Sequence, residues 1–313
     1  MRSSVTLAAE ARKRFADESH VPIDSIKIAL SLAAYGGSLS LPHEFDGYYP
    51  PPYGPKAYVP QPNPTGSNRN AYRADERAQE AQSEEALAAF HLERLRVYAS
   101  DKETWRAVDA VAFETIPLAR EVRAIRRAVA ALEDELAPEE RKPWWVCTVY
   151  AAGEFPEEHA EGGGGDRLGA KEVLASYFDA LPATSGSHEG VGTRYAVPDA
   201  FGVNCTATTH VAGVVAAASD ALAKTGATRI GGVGEPWLVL KPNGGQTYDM
   251  DMRVWDMHDT EIRLPGEEWA RQLGGIVREA DAKGVWGGIL VGGCCKTGEE
   301  ELRALSKVLQ AQL

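Results

Sequence analysis

Two motifs, Gly202-Val203-Asn204-Cys205 and Gly292-Gly293-Cys294-Cys295, decide how this sequence is read. Each closes a short apolar run, 200–203 and 288–291, of the length and composition of a buried strand. Runs of the same kind lie at 26–30, 108–113, 144–149 and 237–240. Helical periodicity fills the gaps: 84–98 carries Leu87, Phe90, Arg94 and Leu95 along one side, and 119–136 repeats Ala, Val, Ile and Leu at helical spacing. Strands alternating with helices predict a parallel sheet. Near the end, Thr297 and Glu300 form a capping box before Leu302, Leu305 and Leu309.

The alternation places three thiols, Cys205, Cys294 and Cys295, at the carboxyl ends of parallel strands, the end at which barrels build active sites. Successive strand residues point to opposite faces, so Cys294 and Cys295 share one metal only if the backbone turns between them and the strand. Gly292-Gly293 offers that freedom. Three thiolates leave one position of a tetrahedral zinc ion open, as in catalytic sites. The competing reading makes Cys205 a small core hydrophobe and the adjacent pair incidental or a strained vicinal disulfide. Cys147, inside an apolar run, reads as core.

Glu114 follows directly on the run 108–113, and a buried carboxylate requires a partner. A substrate ammonium is one such partner; a helix N-terminal charge or a salt bridge is the alternative. Pro242-Asn243-Gly244-Gly245 ends another strand, either as a turn offering amides to a carboxylate or phosphate, or as a plain tight turn.

Composition narrows the classes. With 313 residues and a net charge of -12, the chain holds a large core but no basic surface for tracking phosphates, so nucleic acid is excluded as a partner. No apolar run approaches membrane-spanning length, and the basic start is interrupted by Glu10 and carries Leu7, Ala11 and Phe15 at the spacing of a packed helix. A soluble, cytoplasmic protein is expected. Four cysteines are too few for a disulfide-stapled fold of this size. One domain over 1–313 is expected, with loop insertions near 48–70 and 153–195.

Taken together, Phe90-His91 with Arg94, Phe113-Glu114-Thr115-Ile116-Pro117, Gly202-Val203-Asn204-Cys205, Pro242-Asn243-Gly244-Gly245 with Tyr248-Asp249, and Gly292-Gly293-Cys294-Cys295 resemble the homocysteine S-methyltransferase family, in particular its branch using S-methylmethionine or S-adenosylmethionine. Tyr35-Gly36-Gly37 and Glu44-Phe45-Asp46-Gly47-Tyr48-Tyr49 look like a looser copy of a further family segment. The resemblance implies a (β/α)8 barrel, zinc on Cys205, Cys294 and Cys295, Glu114 on the amino group of homocysteine, and Asn204 and Asn243 as further substrate-binding residues. It implies methyl transfer from a sulfonium donor to homocysteine, giving methionine, with no catalytic group beyond the zinc-activated substrate thiolate. Zinc would remove the thiol proton near neutral pH and leave the sulfur able to attack. Tyr35 or Trp255 could hold the cationic donor on an aromatic face, with core packing as the alternative.

The family opens with a strand bearing an Asp-Gly-Gly type turn, a helix and a second strand, to which nothing here corresponds. Six strands are therefore expected, the barrel's first two missing and two sheet edges open. Two other readings follow. One is an N-terminally truncated, catalytically inactive zinc-binding paralogue. The other is a phosphate-binding barrel enzyme using the turns after Leu240 and Val291, which leaves the cysteines unexplained.

Overall fold

The structure, a computed structural model, describes residues 2–60, 68–159, 166–181, 193–225, 234–245, 248–249, 254–255 and 265–311. In chain order, α1 (Arg2–Ser19) leads to β1 (Ala29–Ala33), and α2 (Arg77–Ala99) with α3 (Lys102–Ala107) leads to β2 (Ala110–Ile116). Then come α4 (Ala119–Glu135), β3 (Trp144–Thr148), α5 (Ala170–Phe178), β4 (Ala200–Asn204), α6 (Thr208–Thr225) and β5 (Trp237–Lys241). A small hairpin of β6 (Tyr248–Asp249) and β7 (Val254–Trp255) precedes α7 (Gly266–Ala282), β8 (Ile289–Val291) and α8 (Glu299–Gln310).

The six larger strands form one sheet in the order β1-β2-β3-β4-β5-β8, every neighbouring pair parallel. Each new strand joins the sheet beside its predecessor and the order never reverses, which is the winding of a (β/α) barrel rather than of a doubly wound sheet. The fold is thus α/β of the TIM-barrel type, as the alternation predicted, with six parallel strands described. Among the described residues, no helix is long and apolar enough to cross a membrane.

Alternation along the strands sets two faces. Leu30, Leu32, Val111, Phe113, Val146, Phe201, Val203, Leu238 and Leu240 point toward the helices and share one core cluster with Leu87 and Leu95 of α2 and Val122 and Ile125 of α4. The opposite, concave face carries Glu114, Cys147, Gly202, Asn204 and Lys241, and at its two edges exposes Ser31, Ala33 and Leu290.

Strand positions match the sequence reading closely except at β2, which spans Ala110–Ile116 rather than 108–113, and at β1, which lies three residues beyond the expected 26–30. Ile23–Ser25 forms a short 3-10 turn, and the Asp109 carboxylate accepts from Ile28 N at 2.8 Å, so the ladder begins only at Ala29. The last helix also differs. Its N-cap is Gly298, whose amide donates to Glu301, while the Thr297 hydroxyl donates to Cys294 O at 2.7 Å and fastens the cysteine turn instead of capping.

Candidate metal and substrate site

Cys205 leaves the end of β4, and Cys294 and Cys295 leave the end of β8. Their sulfurs converge: Cys205 Sγ lies 2.8 Å from Cys294 Sγ and 3.5 Å from Cys295 Sγ, and all three fall within 4.8 Å of one another. All three are free thiols. Hydrogen bonds from Cys205 and Cys295 hold Cys294 far below the usual thiol range, at about 2, and the same bond to Cys294 pushes Cys205 up.

This donor set fits a soft, tetrahedral cation. Four ligands at a Zn–S length of about 2.3 Å lie about 3.8 Å apart, so the two separations of 2.8 and 3.5 Å from Cys205 Sγ would widen modestly around such an ion. Deprotonating three thiols this close requires a shared positive charge. Asn204, 1 % exposed, completes the surroundings: its Nδ2 lies 3.8 Å from both Cys205 Sγ and Cys294 Sγ, and donates to Thr115 Oγ1 at 2.8 Å. The Thr115 hydroxyl in turn donates to Cys205 Sγ at 3.7 Å. Polar hydrogens directed at ligating sulfurs spread their charge and fix their orientation.

The backbone pays for this convergence with unusual conformations. Thr115, Cys205 and Lys296 have φ of 61°, 48° and 63°, in the left-handed region that costs a non-glycine residue roughly 1–3 kcal/mol. Thr115 is the extra residue of a bulge: three steps along β2 from Phe113 to Ile116 face two along β3 from Val146 to Thr148. Asn204 holds the bulge in place by accepting from Thr115 N at 2.9 Å. Just past the cysteines, Lys296 takes the left-handed conformation. Gly293 is needed for close approach, because a Cβ there would sit 2.1 Å from Thr297 Oγ1; at Gly292 the nearest atom is Lys241 Cγ at 3.7 Å, an ordinary contact.

Glu114, 7 % exposed, ends the regular part of β2 and forms an ion pair with Lys241 from the end of β5. Burial pushes its carboxyl up, with Lys241 only partly reversing this; Lys241 is shifted up too, its own burial outweighed by surrounding anionic groups. Glu114 Oε1 engages Lys241, whereas Oε2 is buried with no hydrogen-bond partner among the described residues. The Cys147 thiol, fully buried and raised by burial, interacts with the same carboxylate.

Asn243 lies in the neighbouring turn, with its N, Oδ1 and carbonyl engaged within the fold. Its N donates to Thr206 O, its Oδ1 accepts from Gly245 N, and its carbonyl accepts from Trp269 Nε1. Gly244 N is likewise donated, to Cys295 O at 3.0 Å. The phosphate reading required these amides to point outward, and the structure spends Asn243 N, Gly244 N and Gly245 N on internal bonds.

Two features of the site escaped the sequence reading. Lys241 had no motif around it beyond the following turn. Phe45, 7 % exposed, packs with Val149 against Cys205; its only signal was membership of the 44–49 segment. Tyr35 instead stacks on Tyr53 at 4.0 Å within the core, and the side chain of Trp255 lies outside the described residues. His91, quoted above beside Phe90, is fully buried and bonds Glu121 at 3.0 Å; Glu121 also accepts from Tyr35 N and Tyr49 Oη, each at 2.7 Å. This network pins the loop after β1, which carries Phe45, onto α2 and α4.

Fold and site together define a barrel-type α/β protein with a three-thiol centre at the carboxyl ends of its strands. The profile of the family described as homocysteine S-methyltransferase matches residues 1–309, and the chain belongs to that family of methyltransferase enzymes. Homocysteine S-methyltransferase 1 of Zea mays is 26 % identical over 100 % of this chain and 72 % of its own length. Homocysteine S-methyltransferase YbgG of Bacillus subtilis is 24 % identical over 97 % of this chain and 68 % of its own. Among solved structures, the metallated form of the homocysteine methyltransferase MmuM from Escherichia coli superimposes with a TM-score of 0.52 at 20 % identity, covering 98 % of this chain and 69 % of that one, a likeness of fold.

Proposed function

We propose that this protein transfers a methyl group from a sulfonium donor, S-methylmethionine or S-adenosylmethionine, to the sulfur of homocysteine, giving methionine, with zinc held by Cys205, Cys294 and Cys295. The observation that carries the reading is the convergence of three free thiols within 4.8 Å at the ends of β4 and β8, in a chain of this family. When bound, zinc supplies Lewis acidity that makes a thiol ionise near neutral pH.

The chain's own residues do the rest. Asn204 and Thr115 orient the sulfurs from below through the contacts at 2.8 to 3.8 Å. In this reading Asn204 is a positioning residue rather than a direct substrate contact, because both ends of its amide are engaged. Phe45 offers an aromatic face beside Cys205, suited to a cationic sulfonium. Glu114 Oε2 offers an acceptor for the substrate ammonium. In the reaction the bond from methyl carbon to the sulfonium sulfur breaks as the bond to the acceptor sulfur forms. The departing electron pair converts the donor to a neutral thioether, so no strong general acid is needed, and holding the two sulfurs in line supplies much of the rate.

The direct test is zinc content and methionine formation by the whole chain, with each sulfonium donor, under reducing conditions. The reading expects one zinc per chain, loss of metal and turnover in Cys205→Ala and Cys294→Ala, and methionine as product. A zinc-loaded protein that forms no methionine from either donor refutes the activity; a protein that binds no zinc refutes the site.

A further inference from the structure

The ion pair between Glu114 and Lys241 joins β2 to β5 across two intervening strands, whose positions on the same face are held by Cys147 and Gly202. It is built asymmetrically. The carboxylate side chain is 10 % exposed and uses one oxygen, leaving Oε2 buried and unpartnered among the described residues; the lysine side chain is 22 % exposed at the mouth. A buried acceptor without a donor is costly, and such a group points to a ligand donor. Cys205 N donates to Lys241 O at 3.2 Å, and Thr115, the residue after Glu114, donates its hydroxyl to Cys205 Sγ at 3.7 Å, so the pair stands beside the cysteine cluster, within reach of a molecule whose sulfur sits there.

A cation and an anion side by side, close to a sulfur site, mirror the head group of an α-amino acid. Building on the reading of the chain as a thiol methyltransferase, we propose that Lys241 binds the α-carboxylate of the acceptor while Glu114 Oε2 takes its α-ammonium. The pair is then a zwitterion clamp, and it selects thiols bearing a complete amino-acid head group. Glu114 alone would accept any amine; Lys241 adds the demand for a carboxylate, and by neutralising Glu114 in the free protein it makes a bare amine compete with a cation already in place.

The test is equilibrium binding by calorimetry of three thiols to the zinc-loaded whole chain: L-homocysteine, 3-aminopropane-1-thiol, which lacks the carboxylate, and 4-sulfanylbutanoate, which lacks the amine. L-Homocysteine should bind about 10- to 100-fold more tightly than either truncated thiol. In Lys241→Met, homocysteine should weaken by a similar factor, while 3-aminopropane-1-thiol binds as well as before or better, because Lys241 no longer competes for Glu114. Lys241→Arg should keep most of the preference. A merely structural role for Lys241 would weaken both amines alike in Lys241→Met, and that result overturns the clamp. So does a wild-type protein that binds the three thiols equally or not at all, which decides the matter even if the variant fails to fold. Methyl transfer measured in parallel separates the two proposals: the clamp's binding pattern without methionine formation sinks the activity alone, and methionine formation with a flat binding pattern sinks the clamp alone.

Discussion

Replacing Asn204 by alanine removes the side chain on which both the β2 bulge and the sulfur cluster rest. Two bonds to Thr115 disappear, the one accepted from its N at 2.9 Å and the one donated to its Oγ1 at 2.8 Å, together with the approach of Nδ2 to Cys205 Sγ and Cys294 Sγ at 3.8 Å. Thr115 is 9 % exposed, so its amide has little water to turn to, and a buried donor left unsatisfied costs about 1–3 kcal/mol. Thr115 also holds φ at 61°, and the variant loses the bond its N gives to Asn204, which helps to hold that conformation. Losing the groups that orient metal ligands lowers affinity by about 10- to 100-fold. Asn204→Asp separates the two effects, since a carboxylate oxygen still accepts from Thr115 N but offers no N–H to the sulfurs. Urea unfolding of the metal-free proteins should rank wild type above Asp above Ala, whereas chelator competition should show both variants holding zinc more weakly. An alanine variant that unfolds with the wild type and keeps its zinc affinity would refute the positioning role.

At Gly202 a Cβ would stand 2.4 Å from Cys147 Sγ and 3.0 Å from Val146 O, so Gly202→Ala should destabilise by about 1–3 kcal/mol. Adding Cys147→Ala removes the sulfur, and a double-mutant cycle by urea unfolding should return a favourable coupling of about 1 kcal/mol; strict additivity contradicts the packing described. His91 is fully buried, and burial holds its pKa below the usual value despite the hydrogen bond it makes to Glu121. The unfolded chain therefore takes up a proton below about pH 6.5 that the folded protein refuses, so this residue makes stability fall with pH by up to about 1.4 kcal/mol per unit. The loss begins near the unfolded value and ends at the lower folded one. His91→Gln, which keeps a donor toward Glu121, should flatten stability between pH 6.5 and 5, and an unchanged slope excludes the assignment.

Much of the fold could be read from the sequence because strands buried on the helix side announce themselves as apolar runs, and because three cysteines closing such runs must meet at one end of a parallel sheet. Residue spacing carries less about register. The Thr115 bulge depends on how β2 pairs with β3 and leaves no mark in Phe113-Glu114-Thr115-Ile116-Pro117. Ile26 and Ile28 read as strand by composition, yet the Asp109 carboxylate takes the Ile28 amide and delays the ladder. Lys241 meets Glu114 across two strands, a contact between residues 127 positions apart. Phe45 reaches Cys205 from a loop rather than from the periodic framework. Residue types alone likewise do not show that Lys296 takes a left-handed conformation or that Thr297 packs against Gly293.

X-ray absorption at the zinc edge of the loaded protein, with and without L-homocysteine, bears most directly on the claim that Cys205, Cys294 and Cys295 form an open thiolate site for the acceptor sulfur. Three sulfur ligands and one lighter atom should be seen in the free protein, rising to four sulfurs at about 2.3 Å when homocysteine is added. A first shell already closed by four protein ligands, or one that homocysteine leaves unchanged, would contradict it.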